Sequence, residues 1–190
     1  GVATIESYAF DGCSSLKELI IPDSVVSIEE RAFYGCTSLE RITLPFVGGS
    51  LNDTEYTRFG YIFGNVPSSL KEVVITRAVN IGDYAFYSCK NINNIIIPNT
   101  VTKIGRKAFE GCESLQEITI PESVLTIGYN SFYGCANLKK ITLPFVGESI
   151  NGTENTHFGY IFGASLVSDN NLYVPTSLKE VLITNAKEIR

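Results

Sequence analysis

The chain has 190 residues, of which 44% are apolar and 18% charged, a composition that supports a packed core and excludes a disordered segment. Its net charge of −5 excludes nucleic acid as a partner, because a phosphate-binding face needs clustered Lys and Arg. No apolar run approaches the ~20 residues that a membrane-spanning helix requires.

Read in chain order, one pattern recurs. Ile5 to Leu16 runs I-E-S-Y-A-F-D-G-C-S-S-L, and the chain then continues L-x-x-[LIV]-x-[LI]-P, as in Leu16-Lys17-Glu18-Leu19-Ile20-Ile21-Pro22. The same block starts again at Leu39, Leu70, Ile92, Leu115, Leu138 and Leu178. In an extended strand its fourth and sixth residues share one face, and its third and fifth share the other. β-branched residues dominate, as a pleated, half-buried surface favours. The closing Pro cannot donate to a ladder, so pairing stops there and the chain turns. Two blocks carry Thr76 and Thr184 at that place. A second apolar pair follows each turn (Val25 and Ile28, Val101 and Ile104, Val124 and Ile127), then Ala, Phe and Cys. Gly82, Gly105 and Gly128, next after the Ile position, are expected to mark a tight backbone bend.

The spacing identifies insertions. Cysteines at 13, 36, 89, 112 and 135 are 23, 53, 23 and 23 residues apart, and the blocks at Leu39 and Leu138 are followed by steps of 31 and 40 residues. Ile42 to Gly64 recurs as Ile141 to Gly163, 99 residues later, each copy ending F-G-Y-I-F-G. The insertions cover about 46–58, 145–157 and 164–173. Their aromatic residues are placed near the strands, with Phe59 and Phe158 on the buried Ile position. No single unit buries both of its apolar sets, whereas stacked copies form continuous ladders. One ladder is Phe10, Phe33, Phe86, Phe109 and Phe132. Seven parallel strands at ~4.8 Å spacing predict one sheet about 30 Å long.

The block [LI]-x-x-[LI]-x-[IL]-P-x-x-V-x-x-I-G-x-x-A-F-x-G-C resembles the BspA-like, or Treponema-type, leucine-rich repeat over essentially the whole chain. The resemblance implies a leucine-rich-repeat solenoid: a β-rich right-handed coil of about seven ~23-residue repeats with a parallel sheet on one face. Residues 1–190 then form a single solenoid fragment, truncated at both ends because Ile5 and Ile189 occupy the same half-coil position. It further implies a secreted or surface-attached bacterial protein, hence an extracellular location, with repeats that serve adhesion and carry no catalytic residue.

Candidate sites follow from the same pattern. The five cysteines occur once per coil and are expected as free thiols in a core ladder rather than as disulfides or zinc ligands. His157, the only histidine, aligns with Arg58 in the sister insertion and reads as an exposed loop residue. The stretches Asn52 to Glu55 and Asn151 to Glu154 supply too few oxygens for calcium and read as turns, and Asn52 and Asn151 also match a glycosylation acceptor. Neither a cofactor nor a metal is expected. The candidate binding surface is the outward strand face: Glu18, Arg41, Glu72, Asn94, Glu117 and Lys140 at the third position, beside Ile20, Thr43, Val74, Ile96, Thr119 and Thr142 at the fifth. Tyr56 and Tyr173 add contacts from the insertions. The sequence therefore reads as a non-enzymatic interaction module for an extracellular protein or glycan. The alternative is a passive spacer that holds other domains of a longer protein.

Overall fold

The computed structural model describes residues 1–51 and 57–185. Each block forms a short strand, and these strands pair in parallel into a wide face. One sheet orders β2 (Glu18–Ile20), β4 (Arg41–Leu44), β5 (Glu72–Ile75) and β7 (Asn94–Ile96); another orders β9 (Glu117–Thr119), β11 (Lys140–Leu143) and β12 (Glu180–Ile183). A second face carries two-residue strands, β1 (Thr4–Ile5) with β3 (Ser27–Ile28), then β6 (Asn80–Ile81), β8 (Lys103–Ile104) and β10 (Thr126–Ile127). The expected single sheet of seven strands is thus corrected to four plus three, because no ladder joins β7 to β9.

The closing residue of each block behaves as its chemistry requires. Pro22, Pro98 and Pro121 end the strand, and their carbonyls accept from Val25, Val101 and Val124. Where Thr76 and Thr184 replace Pro, their N–H groups donate to Leu44 and Leu143 of the preceding coil at 3.0 and 2.9 Å. A proline offers no such donor, so pairing runs one residue further in these two blocks.

The core is one continuous cluster whose axis is the phenylalanine row. Rings of Phe10, Phe33, Phe63, Phe59, Phe86, Phe109 and Phe132 touch in succession with centroids 5.1–5.6 Å apart. The backbone holds the same step: Phe10 N–H donates to Ala32 O, Phe86 N–H to Ala108 O and Phe109 N–H to Ser131 O at 2.6–2.8 Å. In the insertion coil, Phe33 N–H donates to Ile62 O and Phe59 N–H to Ala85 O. One helical turn, α1 (Gly60–Phe63), lets Phe59 face the following coil and Phe63 the preceding one. Phe59 therefore occupies the phenylalanine row and not the Ile position, while Phe158 is only half-buried.

Both main insertions leave from the ends of β4 and β11 and return along the short-strand face. Ser50 bridges Ser27 and Ser149 bridges Thr126, antiparallel in each case, so both insertions close that row at the same edge. Most of their aromatics are packing groups: Phe46, Phe59, Phe63, Phe145 and Phe162 are buried in the core.

Glycines serve two different constraints. A Cβ on Gly105 would lie 2.5 Å from Asp83 N, and one on Gly128 2.5 Å from Arg106 N. The glycine after the Ile position thus marks close approach of the neighbouring coil, not the expected bend. The bends lie further on, at left-handed residues. Gly12, Gly35, Gly111 and Gly134 have φ of 69–74°, and Tyr8, Arg31, Tyr84, Lys107 and Asn130 adopt φ of 55–60° despite their side chains. Such a conformation costs a non-glycine residue roughly 1–2 kcal/mol, which coil stacking offsets.

The cysteine row links coils as well. Cys36 donates its S–H to Phe10 O, Cys112 to Phe86 O and Cys135 to Phe109 O, at 3.2–3.4 Å. All five are free thiols, and all but Cys13 are buried. Pro67 and Pro175 take the cysteine place before Leu70 and Leu178, whose N–H groups they accept.

Two outcomes follow. Phe109→Ala lowers stability by about 3–5 kcal/mol in urea unfolding, since it empties the centre of the ladder. Burial pushes the Cys89 and Cys135 thiols up to about 12 from 9.0. The unfolded chain then ionises first, so stability declines as pH rises from about 9 towards 12, and Cys89→Ala with Cys135→Ala flattens that decline.

Candidate binding surfaces

The wide sheet presents the expected residues in register. Glu18, Arg41, Glu72 and Asn94 are neighbours across β2, β4, β5 and β7, and Glu117 pairs with Lys140 across β9 and β11. The signs alternate, and the charges compensate one another: Arg41 lies 3.7 Å from Glu18 and 3.5 Å from Glu72, and Lys140 lies 2.8 Å from Glu180. Glu180 raises the Lys140 pKa through a hydrogen bond and its charge.

Beside this row runs a second, Ile20-Thr43-Val74-Ile96 and Thr119-Thr142-Leu182. Ile20 is 67% exposed and Ile96 45%, while Thr43 and Val74 between them are half-buried. Thr142 departs from the expectation: it is buried at 9% exposure, flanked in the ladder by Thr119 on one side and Leu182 on the other. Tyr56 lies outside the described residues. Tyr173 is exposed, its ring 6.5 Å from that of Tyr133.

Where the ladder is interrupted, the second-position residues, which the sequence reading passed over, form a shallow polar groove. Lys71, Asn93, Gln116 and Lys139 line it together with Asn91 and Asn137. Lys139 Nζ donates to Gln116 Oε1 at 2.8 Å, and Lys71 Nζ to Ser68 O at 2.9 Å.

The turn face holds tyrosines that sequence reasoning also missed. Tyr8, Tyr34, Tyr87 and Tyr133 are all 42–46% exposed. Cations sit among them: Arg31 Nη1 donates to Tyr8 Oη at 2.9 Å, and Arg58 lies 5.0 Å from the Tyr84 ring centre. The available signal was Tyr34 and Tyr133, 99 residues apart and each next after a core phenylalanine.

His157 is the clearest correction. It is 7% exposed, its Nε2 lies 3.0 Å from Ala164 O, and its ring stands edge-on to Tyr160. The extra segment of the second insertion begins at Ala164, so the chain that buries this histidine is absent from the sister insertion, where Arg58 is exposed. Nearby, burial and the Glu148 carboxylate push the Tyr160 phenol up to about 12.

Short parallel strands stacked coil upon coil around one apolar ladder define a leucine-rich-repeat solenoid. The family model for the BspA type leucine rich repeat region matches residues 1–59 and 59–163 in six copies, and the chain belongs to that family. A leucine-rich repeat protein from Bacteroides ovatus is similar in structure, with 26% identity and a TM-score of 0.55 over 95% of this chain and 36% of the other. The Treponema pallidum leucine-rich repeat protein aligns at 24% identity and TM-score 0.44 over 97% of this chain and 64% of its own. A leucine-rich cell surface protein from Faecalibacterium prausnitzii aligns at 20% identity and TM-score 0.42, over 98% of this chain and 59% of that chain. The chain thus spans between about a third and two thirds of these structures. No curated protein matches. Repeats of this family are typically non-enzymatic, and among the described residues no helix is long and apolar enough to cross a membrane.

The charge row serves the surface more than stability. Arg41→Ala changes the unfolding free energy by at most about 1 kcal/mol, because its partners are solvated and screened. Urea titrations at low and high salt measure this.

Proposed function

We propose that this chain is a non-catalytic binding segment of a bacterial surface or secreted protein, and that it contacts a protein partner through the wide sheet. One observation carries the reading. Ile20, Thr43, Val74 and Ile96 line up in register on the outer face, apolar or β-branched throughout, beside charges that neutralise each other. Charges already paired within the chain leave the apolar row as the feature a partner gains by covering. The insertions contribute less than their aromatic content implies, since most of those rings belong to the core.

Strands presenting ~15 Å each over ~30 Å offer about 450 Å², below the ~800 Å² per partner of a standard interface. Contact therefore extends onto neighbouring coils of a longer protein, or the affinity stays low. The test takes a partner captured by the full-length protein. Val74→Glu and Ile96→Glu abolish its binding, while replacing Ile150 to Thr156 by a Gly/Ser linker leaves it intact. Binding that survives both changes favours a spacer role.

A further inference from the structure

The F-G-Y-I-F-G motif does more than fill the phenylalanine row. Gly64, which ends α1, stands against the preceding coil: a Cβ there would lie 3.2 Å from the Tyr34 ring and 3.3 Å from the Arg31 side chain. Gly163 stands in the same relation to Tyr133, at 3.3 Å. A bare backbone at this point leaves the adjacent phenol ring uncovered. In the second copy the added segment lays Tyr173 beside Tyr133. In the first copy, among the described residues, a groove stays open. Arg31, Tyr34 and Gly64 line one part of it, and Arg58, Tyr61, Gly64 and Tyr87 line the other. Gly64 belongs to both, so the two parts meet over the end of α1.

The charge in this groove is distinctive. Arg58 lies 5.0 Å from the Tyr84 ring centre and 5.6 Å from that of Tyr87, contacts that locate a guanidinium without using its N–H donors. No ion pair joins it to a carboxylate among the described residues, in a chain of net charge −5. Arg31 supplies a second guanidinium beside Tyr34, shared with Glu30 at 3.5 Å. The two half-exposed rings are two coils apart with the turn of α1 between them, on the order of 10 Å or more at the strand step and so the length of a short oligosaccharide. Gly64 and Asn65 line the groove beside Tyr34, and Tyr61, Val66 and Ala85 line it beside Tyr87, so the two rings stand as separate platforms on one shallow floor. A pyranose fits that arrangement, with an apolar C–H face for each ring and a hydroxyl rim for Asn65 and the two guanidinium groups.

We propose that the groove over the end of α1 binds an acidic polysaccharide, with sugar rings stacked on Tyr34 and Tyr87 and a uronic acid carboxylate held by Arg58. This site is separate from the wide sheet and independent of its partner. The test is calorimetric titration of the 190-residue chain with oligogalacturonate, oligoalginate and hyaluronan oligosaccharides, with cello-oligosaccharides as neutral counterparts. Binding to at least one acidic oligomer is expected, weakened by salt and absent for the neutral ones. Arg58→Gln lowers that affinity about tenfold or more. Tyr34→Ala and Tyr87→Ala each cost about tenfold, Tyr87→Phe retains binding, and unchanged thermal melting shows that the variants are folded. Val74→Glu and Ile96→Glu leave it unchanged, which separates this site from the sheet. The proposal is overturned if none of the acidic oligomers binds, if neutral oligomers bind as tightly, or if poly-glutamate does. It is equally overturned if the Tyr34→Ala, Tyr87→Ala and Arg58→Gln variants bind as the parent does.

Discussion

The hydrogen bond from each phenylalanine N–H to the carbonyl of the next coil, made while the ring stacks on that coil's phenylalanine, fixes the step of the whole solenoid. At that step the neighbouring backbone reaches the Ile-following position so closely that only glycine fits at 105 and 128. The phenylalanine carbonyl is then used twice, by the cysteine N–H of its own coil and the cysteine S–H of the next, as Phe86 O is by Cys89 and Cys112. Burial that close to carbonyls keeps those thiols protonated and unreactive, so the cysteine row acts as a packing element with a weak donor. The F-G-Y-I-F-G turn respects the same constraint. It supplies one phenylalanine to each neighbour and so keeps the step across a coil that otherwise departs from the repeat.

The architecture was legible because stacking converts sequence period into spatial neighbourhood. Leu, Ile, Phe and Cys at fixed spacing become buried rows, as Phe33, Phe109 and Cys112 show. What the period does not encode was missed. The interruption between β7 and β9 follows no change in the block, whose Asn94-Ile95-Ile96 looks like any other strand. The burial of His157 depends on a segment that occurs once, which comparison with Arg58 in the sister copy conceals. Phe59 was assigned to the wrong row because counting residues assumes one extended path, whereas a helical turn shortens it. The tyrosines escaped notice because they lie in the turns beside the core phenylalanines, outside the strand alternation from which faces were inferred.

The two exposed faces differ in physical character. On the wide sheet, side chains stand in registered rows, and their charges are satisfied laterally, Glu18 to Arg41 to Glu72. On the turn face, Arg58 rests on tyrosine rings that hold it without cancelling its charge. A surface of the first kind rewards shape and apolar cover, and one of the second kind rewards an anion. One short repeat carries both because the strand and the turns are bonded to neighbouring coils independently, so substitution on one face leaves the other in place.

The interrupted ladder has a mechanical consequence. Between the coils of β7 and β9, the turn face keeps its backbone bonds, from Tyr84 to Arg106, Phe86 to Ala108 and Ser88 to Glu110, and the short-strand face keeps its pairing of β6 with β8. On the wide face the surviving backbone link is Ser114 N–H to Lys90 O, at the margin of the strands. A bending load on the solenoid is therefore resisted by backbone ladders on two sides, and on the third by that link and the Lys90–Glu113 ion pair. Bending at this junction widens the polar groove of Asn93 and Gln116 while the phenylalanine stack, close to the neutral axis, is hardly stretched.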